Sequence, residues 1–188
     1  MRTSEADLLI IPGLHGSGPD HWQSRWETKL PTMRRVEQVD FARPEVSAWR
    51  GRLIEEAERA TRPIILVAHS CGVLAVAHAA PFLREGSLRG KVRGAFLVAP
   101  PSRAGLAAPI ATLDQVFFDL PDLPLPFKTI LVASRDDPYS SFVESEALAR
   151  ALGADLVDAG DSGHINVESG HGPWPEGLLR FAAFLKAL

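Results

Sequence analysis

The chain has 188 residues, 46% of them hydrophobic and 23% charged, and a formal net charge of −3. That length fits one domain, residues 1–188, with a sizeable core, and the charge gives no electrostatic case for nucleic acid or an anionic membrane surface as a partner. Cys71 is the only cysteine, so no intrachain disulfide can form and a reducing cytoplasm is the default setting.

The N-terminal Met1–Asp7 is polar and acidic. The apolar run Leu8–Ile11 stops at Pro12, too short for a signal peptide or a membrane span, and reads as a buried strand. It enters a glycine-rich loop, Pro12–Pro19. Asp20 or Ser17 is placed to cap a helix over His21–Glu27, with Trp22 and Trp26 on one face. Arg35–Val39 reads as a second strand. Ser47–Ala60 reads as a helix burying Trp49, Leu53, Ile54 and Ala57. Ile64–Val67 is apolar without alternation, as in a strand covered on both faces, and Val73–Ala77 resumes as an apolar helix. The basic stretch Arg84–Arg93 follows that helix, where cations suit its C-terminus. Gly94–Ala99 is the next buried strand, stopped by Pro100 and Pro101.

Pro100–Phe127 is irregular and proline-rich, and a loop of that length is usually functional or mobile. Phe117 and Phe118 within it call for a surface to cover. Lys128–Ala133 reads as a strand ending in Ser134–Tyr139, and Glu144–Leu152 as a helix closed by Gly153. Asp155–Val157 is a short strand leading to Asp161–Asn166, and Pro175–Ala187 is a final helix. Strands alternating with helices predict an α/β fold, a mostly parallel sheet covered by helices on both faces. The polar loops Pro12–Pro19, His69–Gly72, Asp136–Tyr139 and Gly163–Asn166 each follow a strand. They should therefore converge at the carboxyl edge of the sheet, where such folds place their sites.

Ala68-x-Ser70-x-Gly72 between a buried strand and an apolar helix is close to G-x-S-x-G, a strained turn that lifts a serine above the sheet. The plain alternative is that Ser70 only caps a helix. The order serine, aspartate, histidine favours the chemical reading. Ser70 is then the nucleophile, His164 its general base, and Asp137 the group that orients and charge-stabilises the imidazole. Asp136 is the substitute for Asp137. The N–H groups of Cys71 and Leu14 are the expected oxyanion donors, with His15 N–H in reserve. His15, Trp22, Phe117 and Phe118 are candidates for the substrate pocket. His69 reads as a turn residue packed under the elbow, and His171 as structural. No paired Cys/His spacing argues for a metal, and no cofactor is expected. The glycines of the first loop follow a strand as in dinucleotide-binding domains, but Gly13-x-x-Gly16-x-Gly18 is not the G-x-G-x-x-G spacing.

Several stretches together resemble the small α/β-hydrolases similar to retinoblastoma-binding protein 9. They are Pro12–Gln23, Ala68–Gly72, Leu125–Phe127, Ala133–Tyr139, Gly163–Gly170 and Pro173–Gly177. The resemblance spans nearly the whole chain. It implies a compact α/β-hydrolase fold without a large cap domain, with Ser70, Asp137 and His164 as a triad. The family's elbow typically begins with Gly where this chain has Ala68. It implies a serine hydrolase acting on a small acyl substrate, with ester, thioester and amide bonds as its possible classes. The other reading is a non-catalytic interaction module that keeps the hydrolase fold.

Overall fold

A computed structural model describes residues 1–105, 113, 115–121 and 124–188. Among these residues six strands form one sheet: β1 (Asp7–Ile11), β2 (Met33–Arg35), β3 (Ile64–His69), β4 (Val92–Val98), β5 (Lys128–Ala133) and β6 (Asp155–Asp158). Their order is β2-β1-β3-β4-β5-β6, and every neighbouring pair is parallel. The helices are α1 (Trp22–Lys29), α2 (Val46–Arg59), α3 (Cys71–Leu83), α4 (Phe142–Leu152) and α5 (Pro175–Lys186).

The central strands lack hydropathic alternation because both of their faces are covered. Leu9, Ile11, Ile64, Leu66, Ala95 and Leu97 enter the core beneath α2, α3 and α4. Their neighbours Leu8, Ile10, Ile65, Val67, Phe96 and Val98 enter the opposite core with Trp22 and Trp26 of α1 and Phe181 and Phe184 of α5. Successive side chains thus serve opposite layers. α3 is apolar almost all round and buried on nearly every residue, as a helix in the middle of a layer must be. The result is the α/β-hydrolase fold, with no cap domain among the described residues.

The second strand is Met33–Arg35 rather than Arg35–Val39. Val36 is buried just past it, whereas Val39 is 85% exposed. The helix beginning near residue 21 is capped by His21 rather than by Asp20 or Ser17, and α2 is capped by Glu45, which accepts from Ser47 N and Ala48 N. In Pro100–Phe127 the residues Gln115–Phe118 form a 3-10 turn. Other parts of that stretch, including Pro109, lie outside the described residues. No helix among the described residues is long and apolar enough to cross a membrane.

Candidate active site

β3 ends at His69, and Ser70 follows with φ 54° and ψ −128° before α3 begins at Cys71. A non-glycine residue there is strained. The strain is held from both sides. Ser70 N donates to Val98 O at 3.0 Å, and α3 packs so closely on the end of β1 that a Cβ on Gly72 would collide with the Ile11 and Pro12 carbonyl oxygens. A Cβ on Gly13 would come within 2.7 Å of Ser70 Cβ. Both glycines are therefore required by close backbone approach. Of the six non-glycine residues at positive φ among the described residues, His15, Ser17, Ser70, Ala99 and Ile165 lie in loops at the carboxyl ends of strands, so backbone strain is concentrated at this edge.

His164 Nε2 lies 3.0 Å from Ser70 Oγ. Its Nδ1 lies 3.1 and 3.0 Å from the two carboxylate oxygens of Asp137. An ionised carboxylate only accepts, so Nδ1 carries the proton, and Nε2 is left to accept the Ser70 hydroxyl. The His164 side chain is 9% exposed and that of Asp137 3%. Asp137 Oδ1 also accepts Tyr139 N at 2.9 Å, and the Tyr139 ring packs edge-on against the imidazole. Beneath it, His69 Nε2–H donates to the His164 carbonyl at 2.9 Å. His69 thus fixes the backbone of His164 from below, as expected of a residue packed under the elbow.

Asp136 does not reach the imidazole. It accepts from Ser134 Oγ at 2.7 Å and from Gly163 N at 2.7 Å. The Ser134 hydroxyl, then the Gly163 N–H, hold its carboxyl below the usual carboxylate range. Its place is to tie the loop carrying His164 to the end of β5.

The first loop is anchored by the buried Gln23 and the half-buried Arg35. Gln23 Nε2 donates to Ile11 O at 3.3 Å and Val67 O at 3.1 Å, while its Oε1 accepts Ser17 Oγ–H at 2.7 Å. It joins β1, β3 and the loop between β1 and α1. Arg35 donates to the Gly16 and Ser17 carbonyls from the other side and pairs with Glu27 at 2.9 Å.

Ser70, His164, Leu14, Cys71 and His15 line one cavity of about 420 Å³, together with His21, His69, Pro101, Tyr139, Asn166 and Val167 among others. That volume lies in the range of small-molecule sites. The N–H groups of Leu14 and Cys71 each open a helical turn, ahead of the first intrahelical bond. The Leu14 N–H faces the Cys71 sulfur. Burial pushes the Cys71 thiol up to about 11, so it stays neutral and is a weak competitor for that donor. His15 N–H is already given to Phe41 O at 3.0 Å, which removes it as a reserve donor.

Three expected pocket residues do not line the cavity. Trp22 is fully buried in the α1–α5 core, its indole N–H donating to Ile165 O at 3.0 Å. Phe117 is fully buried against Trp49 and His78. Phe118 packs against the same core under the Arg103 guanidinium. Large aromatics in a short helical turn find core before they find a pocket. His171 bonds Ser169 Oγ through Nδ1 at 3.1 Å and packs on Trp174, a structural position. His21, Tyr139, Pro101 and Asn166 were not foreseen on the wall. His21 left a signal: a histidine immediately ahead of an amphipathic helix, where Ser, Thr, Asp or Asn is the usual cap.

A family model described as serine hydrolase matches residues 8–183. The fold is similar to that of a hydrolase described as YdeN-like from Pectobacterium atrosepticum: 33% identity, 98% of this chain and 93% of that one covered, TM-score 0.82. It is similar to the ydeN gene product of B. subtilis at 20% identity, covering 97% of this chain and 99% of that one, TM-score 0.75. It is also similar to a hydrolase of the alpha/beta superfamily from Xanthomonas campestris at 23% identity, covering 97% and 99%, TM-score 0.59. No curated protein matches the sequence.

Proposed function

The chain belongs to the serine hydrolase family, and we propose that it is a carboxylesterase cleaving small acyl esters through an acyl-enzyme. The observation that carries this reading is the unbroken hydrogen-bonded line from Ser70 through His164 to Asp137, opening on one cavity. Ser70 Oγ attacks the ester carbonyl carbon as its proton passes to His164 Nε2. Asp137 holds the imidazole in the needed tautomer and stabilises its charged form. The carbonyl oxygen, now negative, takes the Leu14 and Cys71 N–H groups, near the N-terminus of α3. Collapse breaks the bond to the alcohol oxygen, which leaves with the proton from His164. Water then repeats the sequence on the acyl-serine and releases the acid.

Leu14, Pro101, Tyr139 and Val167 supply apolar surface for a short acyl chain. Thioesters and amides would follow the same route, the amide more slowly because its amine is the poorer leaving group. Within the serine hydrolases we place the chain beside the small enzymes similar to retinoblastoma-binding protein 9, on the motifs quoted above. One buried cysteine fits a reducing, cytoplasmic setting.

The test is intact mass after incubation with a fluorophosphonate, on wild type and Ser70→Ala. A single adduct on the wild type and none on the variant is the expected result. A folded wild type that takes no adduct overturns the reading and turns attention to an interaction role for the fold.

A further inference from the structure

The loop after His164 brings a charge to the cavity. Asn166 and Ser169 close it reciprocally: Ser169 N donates to Asn166 Oδ1 at 3.1 Å, and Asn166 N to Ser169 Oγ at 3.0 Å. Gly170 N donates to Val167 O at 3.0 Å and His171 N to Asn166 O at 2.8 Å. Gly163 packs against it so tightly that a Cβ would stand 2.6 Å from Ser169 Cβ. Val167 and Glu168 form the exposed tip of this tied turn, and both line the cavity that holds Ser70 and His164. Among the described residues lining the cavity, Glu168 is the one acidic side chain, and none is a lysine or arginine. Arg25, which lies near Gly172 at the far end of the loop, is already paired with Asp20 at 2.8 Å, and Arg135 with Asp158 at 2.6 Å. Burial holds His21 and His69 of the same wall uncharged near neutrality. The fixed charge on the wall is therefore that of Glu168.

We propose that Glu168 determines specificity: it selects esters whose alcohol half carries a cation, the short acyl esters of amino alcohols. This rests on the hydrolytic reading above and names its substrate class. The sign follows from the lone carboxylate, and the half of the substrate follows from the proton path. His164 Nε2 gives its proton to the departing alcohol, so the alcohol lies along the loop that carries His164. That loop's share of the wall is Asn166, Val167 and Glu168, whereas the oxyanion donors Leu14 and Cys71 come from two other loops. Tyr139, whose ring lies beside the imidazole on the same wall, adds an aromatic surface that an ammonium group also favours. At a solvated wall, two opposite unit charges a few ångströms apart change an equilibrium by about fivefold, and salt weakens the effect.

The probes are butyrylcholine and neohexyl butyrate, in which carbon replaces the ammonium nitrogen, so the pair differs in charge and hardly in shape. A second pair moves the charge to the acyl half: the ethyl ester of trimethylammoniobutyrate and its own carbon isostere. Release of acid is followed by titration on the wild type, Glu168→Gln and Glu168→Lys. The quantity read is the ratio of kcat/KM, charged over neutral, within each pair, so a general change in a variant's activity cancels. For the choline pair the ratio is expected to fall about three- to tenfold in Glu168→Gln and further in Glu168→Lys. In the wild type it should also shrink as NaCl rises from about 20 to about 500 mM, and it should shrink less in Glu168→Gln. A choline ratio that neither substitution changes overturns the role of Glu168. An acyl-pair ratio that falls as far as the choline ratio overturns the assignment of the cation to the leaving alcohol. Both of those results leave the hydrolytic reading standing, whereas no turnover of any of these esters by the wild type overturns both.

Discussion

Asp136 and Asp137 are chemically identical neighbours, and the backbone sends them to different work. Asp137 faces His164 Nδ1 at 3.0 Å from a nearly closed position, while Asp136 binds Ser134 and Gly163. Substituting each should therefore fail differently. Asp137→Asn offers the imidazole a donor or a neutral acceptor, which no longer selects the tautomer with a free Nε2. kcat should fall on the order of 10³–10⁴ with the fold intact. Asp136→Ala should cost less than about tenfold in kcat but lower the urea midpoint, since Gly163 N–H loses its acceptor and Ser134 Oγ–H keeps only Gly160 O. Steady-state kinetics and urea melts on both variants decide between them. Equal kinetic losses would mean that the two carboxylates share the task.

At the scale of elements, the site depends on how β1 and β3 are held side by side at their carboxyl ends. Gln23 is the clamp, fully buried, with three hydrogen bonds to Ile11, Val67 and Ser17. Gln23→Leu keeps the volume and orphans two carbonyl groups. The expected cost is roughly 1–3 kcal/mol for each orphan, and at about 2–4 °C per kcal/mol a fall in Tm of roughly 4–24 °C. A calorimetric Tm within a degree or so of the wild type would show that the clamp is idle. The buried strands and the elbow were legible because an unbroken apolar run, a small polar turn and a second apolar run have few other foldings. β2 starts earlier than its hydropathy suggests because it is an edge strand built from charge. Arg34 pairs with Glu56 at 3.2 Å and Arg35 with Glu27 at 2.9 Å, and no hydropathy pattern records such pairs. Phe117 departs from the expected pocket wall because a proline-rich stretch hides the single helical turn that tucks it against Trp49. Order along the chain identified Ser70, Asp137 and His164 as candidates. The remaining cavity wall comes from loop conformation, which spacing does not encode.

For the whole molecule, the consequence of stacking three imidazoles at one sheet edge is sensitivity to acid. His21 is held neutral by burial, His164 and Arg35, with its pKa near 4. His69 is held well below its ordinary value by burial first, then by His164 and His21, against the opposing effect of its bond to the His164 carbonyl. In the unfolded chain both titrate near 6.5. Between the folded and unfolded values the unfolded chain binds the extra protons, so stability rises with pH across that window. The contribution of these rings is complete above about pH 6.5 and is lost as pH falls, through about 4 for His21 and further for His69. For His21 alone the loss amounts to roughly 3 kcal/mol, at a slope near 1.4 kcal/mol per pH unit. Urea midpoints should accordingly be flat near neutrality and drop steeply between about pH 6 and pH 4.5. His21→Asn keeps the helix cap without a titrating ring, so it should remove one proton from that slope, close to half of it if His69 supplies the other. An unchanged slope would mean that His21 charges as readily in the fold as in the open chain. The burial that holds His21 and His69 uncharged near neutrality is the same burial that makes the fold give way in acid.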